Sequence, residues 1–276
     1  MDPTAATRQN ARMQPGERAR RFEGRHIGVT GAGTGIGHAI ATRLASEGAV
    51  LSFFARDQRR IEAVADEIRA GGGRATAFAC DVRRRADVDR AFDAAREAQG
   101  AFLALVANAG IGGANVAGAA DRFDDLVATN LVGTYSTLRA AERHLAPGPE
   151  PRHLVVIASI LARIGVPGYT GYCASKAGLL GLVRALAAEL APHNVQVNAL
   201  CPGWVETEMA QEGLAGMSRG MNVSVDEARR IAMSAVPLGR MSQPSEIAGV
   251  VAWLISPDAR GTTGQGIDVN GGAFMS

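Results

Sequence analysis

The chain has 276 residues, 47% of them hydrophobic and 5% aromatic, which is enough aliphatic material for one large core. Lysine and arginine number 29 against 27 acidic residues, and a net charge of +2 gives no global field for nucleic acid or an anionic membrane. No apolar run approaches the roughly 20 residues that span a bilayer. Cys80, Cys173 and Cys201 are far apart without metal-ligand spacing, which predicts a reducing compartment, the cytoplasm, and no metal site.

The first 24 residues are polar and rich in arginine, and they lack the apolar stretch of a secretory signal. A basic transit peptide is an alternative interpretation, but Asp2, Glu17 and Glu23 oppose it because such peptides are poor in acidic residues. We therefore predict a flexible basic arm over residues 1–24, followed by one catalytic domain over residues 25–276.

From His26 onward, short β-branched runs alternate with longer stretches of helical spacing, and several of the runs are apolar throughout. Burial on both faces of a sheet demands such strands. The pattern predicts an α/β fold, a single Rossmann-type domain with a doubly wound, parallel, seven-stranded sheet and helices on both faces. The predicted strands are 26–30, 50–54, 75–79, 102–107, 153–158, 195–200 and 266–269, and the predicted helices are 36–47, 58–70, 86–98, 120–146, 172–191 and 244–256.

Residues 205–237 break this alternation with four methionines, three glycines and a helical stretch. The segment follows the carboxyl end of a strand, the edge at which α/β sheets bind ligands. It is therefore predicted to be a lid insert, and the alternative is a surface helical hairpin.

A glycine-rich turn, TGAGTGIG over residues 30–37, follows the first strand and opens the first helix. Glycines allow a tight turn that brings backbone N–H groups and a helix N-terminus against phosphate. The turn therefore predicts a dinucleotide site. The cofactor contacts expected here are Gly31, Gly33, Thr34, Gly35, Ile36 and Gly37.

Tyr172 and Lys176 are four residues apart in a predicted helix, so they share one face. Ser159 ends the fifth strand, thirteen residues before Tyr172, and Asn130 lies inside the helix predicted over 120–146. A Tyr–Lys pair at this spacing is by itself most often a surface pair. Here the upstream serine and the glycine turn favour a catalytic role.

From about residue 26 to residue 272, the order and spacing of these motifs resemble the short-chain dehydrogenase/reductase family. The resemblance implies a catalytic tetrad of Asn130, Ser159, Tyr172 and Lys176, with Tyr172 and Lys176 also contacting the cofactor. Further cofactor contacts that it implies are Asp81 and Val82 after the third strand, Asn108, Ala109 and Gly110 after the fourth, and Pro202, Gly203, Val205 and Thr207 after the sixth.

Reduction of a carbonyl needs a hydride at carbon and a proton at oxygen, and Tyr172 is predicted to donate the proton. In the reverse direction Tyr172 must act as a base, and a free tyrosine with a pKa of about 10 is a reluctant base at neutral pH. Lowering its pKa by about 3 units requires about 4 kcal/mol of stabilisation of the phenolate. One charge about 5 Å away supplies about 3 kcal/mol at an effective dielectric constant near 20, so Lys176 and the nicotinium ring together suffice. Ser159 would hold the substrate oxygen, and the resemblance implies that Asn130 binds a water that connects Lys176 to solvent.

The family's NAD users usually end the second strand with an acidic residue, and that position here is Ala55, followed by Arg56. Arg56 can bind a 2′-phosphate that an acidic residue would repel, so the predicted cofactor is NADP(H). Asp57, one residue further, is the alternative ribose ligand.

Motifs near Pro202 and Pro237 resemble 3-oxoacyl-(acyl carrier protein) reductases and, more closely, aromatic polyketide ketoreductases, which share the V-S-x-[DE]-E-A run at residues 223–228. The predicted function is reduction of a β-keto acyl or cyclic ketone, free or carrier-bound, to a secondary alcohol. An alcohol or hydroxyacyl-CoA dehydrogenase working in the oxidative direction, and a non-catalytic NADP sensor, are the alternatives. The resemblance also implies a homotetramer, and no nucleic-acid or membrane partner is expected.

Overall fold

The computed structural model describes residues 20–275, which form one sheet of seven parallel strands in the order β3-β2-β1-β4-β5-β6-β7. The order runs outward from β1 in both directions, as in a doubly wound fold, so the predicted architecture is confirmed. The strands are β1 (His26–Thr30), β2 (Val50–Ala55), β3 (Arg74–Ala79), β4 (Phe102–Ala107), β5 (Arg152–Ile157), β6 (Val195–Pro202) and β7 (Gly266–Val269).

In residues 20–275, nine α-helices surround the sheet. None of these helices has the length and apolar composition of a membrane span. The helices are α1 (Gly35–Ser46), α2 (Gln58–Ala70), α3 (Arg85–Gln99), α4 (Phe123–Val127), α5 (Thr134–Arg143), α6 (Thr170–Leu190), α7 (Glu208–Met221), α8 (Val225–Ser234) and α9 (Pro244–Ile255).

Two apolar cores lie on opposite faces of the sheet. Side chains of α1, α2 and α9 pack on one face, and side chains of α3, α5 and α6 pack on the other. Every residue of β4 is buried, as expected for a central strand covered by helices on both sides.

The helix predicted over residues 120–146 is wrong in its bounds and its regularity. The helical stretch begins at Phe123, whose N–H donates to the Asp121 carboxylate (3.0 Å), and α5 ends at Arg143. Between α4 and α5, residues Ala128–Gly133 form a π-helical turn, and Asn130 lies within it. Such turns add one residue to a helical turn and are frequent at functional sites.

Of the predicted arm, residues 1–19 lie outside the described part of the chain. Residues 20–24 pack against the domain instead of forming part of an arm. Phe22 is 1% exposed, its N–H donates to the Glu47 carbonyl, and Arg21 pairs with the buried Glu47 carboxylate (2.5 Å).

The segment 205–237 contains α7 and α8, which pack against one another over a small apolar core separate from the two main ones. Leu214 is the fully buried residue of this core. The pair of helices begins at Thr207, which caps α7 by accepting from the Ala210 N–H (3.2 Å).

Candidate active site

A cavity of about 590 Å³ opens at the carboxyl ends of β1 and β4, where the strand order reverses. Open α/β sheets bind their ligands at this point. Twelve of the predicted cofactor residues line the cavity. They are Gly31, Gly33, Thr34, Gly35, Ile36, Gly37, Arg56, Val82, Asn108, Ala109, Gly110 and Thr207.

The glycine turn has no room for side chains. A Cβ atom on Gly37 would lie 2.1 Å from the Gly31 carbonyl oxygen, and one on Gly31 would lie 2.9 Å from the Ala109 Cα atom. Gly31 also has φ of +67°, a conformation that L-residues with side chains rarely adopt. The absence of side chains leaves the backbone of the turn open to the cavity.

The Asn-Ala-Gly motif after β4 holds this turn in place. The Thr30 hydroxyl accepts from the backbone N–H groups of Asn108 (3.0 Å) and Ala109 (2.9 Å). The Asn108 amide donates to the carbonyls of Thr30 (3.1 Å) and Gly31 (3.0 Å). These bonds join the ends of β1 and β4 and fix the shape of the cavity floor.

The N-terminus of α1 faces the cavity and suits a phosphate group. The first turn of α1 contains no acidic residue, and the hydroxyl of its N-cap residue, Thr34, makes no capping bond. Free N–H groups and the positive end of the helix dipole stabilise an anion at such a position. The glycine turn and this helix end therefore fit the pyrophosphate of a dinucleotide.

Two arginines line the cavity beside the end of β2. Arg56 is exposed, and Arg60 forms surface ion pairs with Glu208 (3.3 Å) and Asp57 (3.5 Å). Asp57 also caps α2, because its carboxylate accepts from the Arg60 backbone N–H (3.2 Å). The alternative ribose ligand of the sequence analysis is thus engaged in the helix start.

Asp81 lies outside the cavity lining, although Cys80 and Val82 on either side contribute to it. Its carboxylate accepts from the Arg83 side chain (2.7 Å) and backbone N–H (3.0 Å). The hydrogen bonds to the Arg83 guanidinium hold the pKa of Asp81 below its usual range. Contact of Asp81 with adenine stays a prediction.

Tyr172 and Lys176 lie in the first two turns of α6. Ser159 lies two residues after the end of β5, where its hydroxyl accepts from the Leu161 N–H (3.1 Å). Burial raises the pKa of the Tyr172 phenol, and hydrogen bonding with Ser159 offsets part of the rise. This direction is opposite to the depressed pKa that the sequence analysis expected with cofactor present. A raised pKa keeps the phenol protonated, as a proton donor must be.

Lys176 is 5% exposed and its ammonium group donates to the Ile157 carbonyl oxygen (2.9 Å). Its Nζ atom lies 5.7 Å from the centre of the Tyr172 ring. Burial lowers the pKa of Lys176 to about 8. The lysine is thus close to losing its proton at neutral to mildly alkaline pH.

Asn130 is fully buried in the π-helical turn, and its amide is paired with the backbone of Ile111. Its Oδ1 atom accepts from the Ile111 N–H (2.9 Å), and its Nδ2 atom donates to the Ile111 carbonyl (3.0 Å) and the Ser175 hydroxyl (3.1 Å). A Cβ atom on Gly110 would lie 3.1 Å from Asn130 Oδ1 and 3.6 Å from Lys176 Nζ. The third residue of the Asn-Ala-Gly motif thus lies between two members of the tetrad.

The stretch after β6 lies above the glycine turn. A Cβ atom on Gly203 would lie 2.9 Å from the Asn270 Cα atom, and Val205 is 4% exposed. A Cβ atom on Gly35 would lie 3.0 Å from Thr207 Cγ2, so Thr207 approaches the turn directly. Pro202, Gly203 and Val205 lie outside the cavity lining, as do Tyr172 and Lys176, the other predicted cofactor contacts.

A family model described as Enoyl-(Acyl carrier protein) reductase matches residues 31–273. The chain is 39% identical over 249 residues to a putative ketoacyl reductase of Streptomyces coelicolor, covering 88% of this chain and 95% of that protein. It is 36% identical over 258 residues to a 3-oxoacyl-[acyl-carrier-protein] reductase of Pseudomonas aeruginosa, covering 92% and 99%.

Among solved structures, a single-residue variant of the actinorhodin polyketide ketoreductase with NADPH superposes with a TM-score of 0.84 at 36% identity. The match covers 92% of this chain and 98% of that one. The chain belongs to the short-chain dehydrogenase/reductase family. The predictions of an oxidoreductase, of NADP(H) as its cofactor and of ketone reduction as its reaction are confirmed.

In this short-chain dehydrogenase/reductase, the structure adds cavity residues that the sequence analysis missed. Arg60, four residues after Arg56 and in the first turn of α2, is one of them, and its position near Arg56 in the sequence could have indicated a second cation beside the same site. Ile111 continues the Asn-Ala-Gly motif, and its backbone binds Asn130. Glu208 and Met209 line the cavity from α7, and no local sequence signal places them there.

Proposed function

We propose that this protein reduces the β-keto group of an acyl or cyclic substrate, with Tyr172 as the proton donor. The observation that carries the proposal is the position of Lys176, whose Nζ atom lies 5.7 Å from the centre of the Tyr172 ring and 3.6 Å from the place of a Cβ atom on Gly110. Gly110 lines the cavity that fits a dinucleotide. An NADP sensor would need the cavity but not a tyrosine next to a buried lysine.

NADPH, when bound, supplies the hydride to the carbonyl carbon. The Ser159 hydroxyl holds the carbonyl oxygen and stabilises the negative charge that develops there. The Tyr172 hydroxyl gives its proton to that oxygen, which becomes the alcohol. Lys176, with a pKa of about 8, then returns a proton to the phenolate and regains one from solvent, through a water that Asn130 would hold.

Different residues of the cavity would hold different parts of the cofactor. The glycine turn and the N-terminus of α1 would bind the pyrophosphate, and Arg56 with Arg60 would bind the 2′-phosphate. Thr207 and the stretch after β6 would cover the nicotinamide. Asp81 and Val82 would border the adenine.

The substrate proposal rests on relatives that are named as ketoacyl and 3-oxoacyl-[acyl-carrier-protein] reductases. The apolar side chain of Met209, 44% exposed, stands at the cavity beside Gly112, where a Cβ atom would lie 2.8 Å from the Met209 sulfur. A flexible thioether suits an acyl or cyclic body of variable shape. A carrier-bound acyl group is the proposed form of the substrate.

Three further features belong to the proposal. Segment 205–237 acts as a lid, since its first helix reaches the glycine turn through Thr207. The protein assembles as a homotetramer, and α5, α6 and β7 form its contacts. It works in the cytoplasm, where free thiols such as those of Cys80 and Cys201 persist.

The test is a turnover screen of the purified protein with NADPH against β-ketoacyl thioesters, cyclic ketones and diketones. The Tyr172→Phe variant should lose several orders of magnitude in kcat while its Kd for NADPH stays within about twofold, because only the proton donor is lost. Tyr135→Phe, a change on α5 beside two arginines, is the matched control. Retention of more than about a tenth of wild-type turnover by Tyr172→Phe would contradict the proposal.

A further inference from the structure

Asn115, in the loop between β4 and α4, binds the first turn of the helix that carries Tyr172 and Lys176. Its Oδ1 atom accepts from the Gly171 N–H (2.9 Å), and its Nδ2 atom donates to the Thr170 hydroxyl (2.9 Å). Its own backbone N–H donates to the Gly168 carbonyl (2.8 Å). Asn115 is 9% exposed, so these bonds form away from solvent.

The first turn of α6 needs such a partner. The N-terminal N–H groups of a helix have no acceptor within the helix, and the N-cap residue of α6, Tyr169, makes no side-chain capping bond. The acceptor for the Gly171 N–H therefore comes from a different part of the chain. Gly171 immediately precedes Tyr172, so this bond fixes the backbone at the proposed proton donor.

Asn115 also binds the residue that begins α4, the helix that precedes the π-helical turn with Asn130. Its Nδ2 atom donates to Asp121 Oδ1 (3.1 Å), and the same oxygen accepts from the Phe123 N–H (3.0 Å), which begins α4. The π-helical turn with Asn130 follows α4 directly. One side chain thus connects the start of α6 with the start of α4, the helix that leads into the π-helical turn with Asn130.

The two helices are in close contact at this point. A Cβ atom on Gly171 would lie 3.1 Å from both the Phe123 Cα atom and Leu126 Cδ1. Because there is no side chain between them, their separation depends on the backbone contact and on the polar bonds beside it. A hydrogen-bonded amide is directional, whereas the apolar contact alone would allow α6 to slide along α4.

We propose that Asn115 is a positioning residue for proton transfer, which holds the first turn of α6 against α4 so that Tyr172 meets the substrate oxygen. The inference rests on the proposed function, since it assigns the proton to Tyr172. Proton transfer requires heavy atoms about 2.6–3.2 Å apart, and displacement of a reacting group by about 1 Å can cost on the order of 100-fold in rate.

The first variant is Asn115→Ala, with Val116→Ala as its control. Val116 is the next residue in the same loop and is 71% exposed. In Asn115→Ala, kcat should fall about 10- to 100-fold, with the Kd for NADPH within about twofold, since the glycine turn is untouched. The solvent deuterium isotope effect on kcat should rise as proton transfer becomes more strongly rate-limiting. Val116→Ala should match the wild type in all three measurements.

The rescue variant is the exchange Asn115→Asp with Asp121→Asn. A carboxylate at position 115 accepts from the Gly171 N–H, from the Thr170 hydroxyl and from the new amide group at position 121. The bonds to α6 and the bond between positions 115 and 121 are restored, whereas the Phe123 N–H loses its acceptor, because one Asp121 oxygen accepts from both Asn115 and Phe123. The exchange should recover kcat to within about fivefold of the wild type, whereas Asn115→Asp alone places two carboxylates together and should not.

Hydrogen exchange at the Gly171 amide tests the same contact without turnover. In Asn115→Ala this amide should exchange at least tenfold faster, with the middle of α6 unchanged. Unchanged exchange, or a kcat within twofold of the wild type, would overturn the proposal. Equal losses in kcat, NADPH binding and melting temperature without recovery in the exchange variant would also overturn it, because they indicate a purely structural role. If Tyr172→Phe stays active, the proposed function fails instead, whatever the Gly171 amide shows.

Discussion

The two arginines at the cavity predict a measurable preference for NADPH over NADH. A charge-assisted contact with phosphate contributes about 1.5–3 kcal/mol, and the exposure of Arg56 places its contact near the lower figure, about tenfold in affinity. Arg60 must leave Glu208, 3.3 Å away, and a surface ion pair is worth about 0–1 kcal/mol. Its net contribution should therefore be about 0.5–1.5 kcal/mol, or about 2- to 10-fold.

The assay is the Kd of each cofactor at fixed salt, measured by the change in NAD(P)H fluorescence. Arg56→Ala and Arg60→Ala should weaken NADPH by about 10-fold and about 2- to 10-fold, with NADH within about twofold. Glu208→Gln should tighten NADPH by up to about fivefold, because Arg60 is then free. Arg59→Ala, in the same helix but outside the cavity lining, is the control. Equal effects of Arg56→Ala on both cofactors would contradict a contact between Arg56 and the 2′-phosphate and would favour Asp57 as a ribose ligand.

Three further changes test the turn, the buried lysine and the lid. Gly37→Ala should weaken NADPH binding about tenfold or more, because its Cβ atom would lie 2.1 Å from the Gly31 carbonyl oxygen. In the control Gly181→Ala the new Cβ atom meets no atom within 4 Å, so its Kd for NADPH should equal that of the wild type. Equal Kd values for the two variants would contradict the clash at Gly37. Burial lowers the pKa of Lys176 to about 8, so between pH 8 and 10.5 the unfolded chain holds more protons and the free energy of unfolding should rise with pH. Denaturant titration of the wild type and Lys176→Met would measure this rise as a change of about 3 kcal/mol in the difference between their free energies of unfolding. A difference that stays constant from pH 8 to 10.5 would be evidence against a buried, destabilised charge at Lys176. Hydrogen exchange in segment 205–237 should slow when NADPH and a ketone bind together, whereas equal protection with and without them would leave a static hairpin.

The strands and the glycine turn could be predicted because their signals are local. Burial on both faces makes β4 apolar at every position, and the tight turn at Gly31–Gly37 excludes side chains, so composition alone reveals both. The tetrad was implied by the resemblance to the family, and its catalytic role stays a prediction; the spacing of Tyr172 and Lys176 placed both on one face of α6.

Features that depend on contacts between distant segments could not be predicted in this way. Helical spacing predicts one regular helix over residues 120–146. In the structure the helix begins at Phe123, whose N–H donates to the Asp121 carboxylate, and a π-helical turn interrupts it. The raised pKa of Tyr172 reflects desolvation in the packed protein, which no spacing encodes. Glu208 lines the cavity because the N-cap residue of α7, Thr207, packs against the glycine turn at Gly35, a contact between distant segments.

The π-helical turn at Ala128–Gly133 also limits how the length of this chain can change. An α-helix advances about 100° per residue, and the turn accommodates one residue more than a regular helical turn would. Deleting one residue here would let the backbone revert to an ordinary helix, so the deletion costs little in backbone hydrogen bonding. Either Asn130 or the apolar face of α5 would then be turned by about 100° from its present direction. Leu138, which is fully buried on the apolar face of α5, would point away from the core if Asn130 kept its place. A helix would tolerate loss of one residue from this segment, but the protein would not. The position of Asn130 at the candidate site and the burial of the apolar face of α5 together fix the length of the segment.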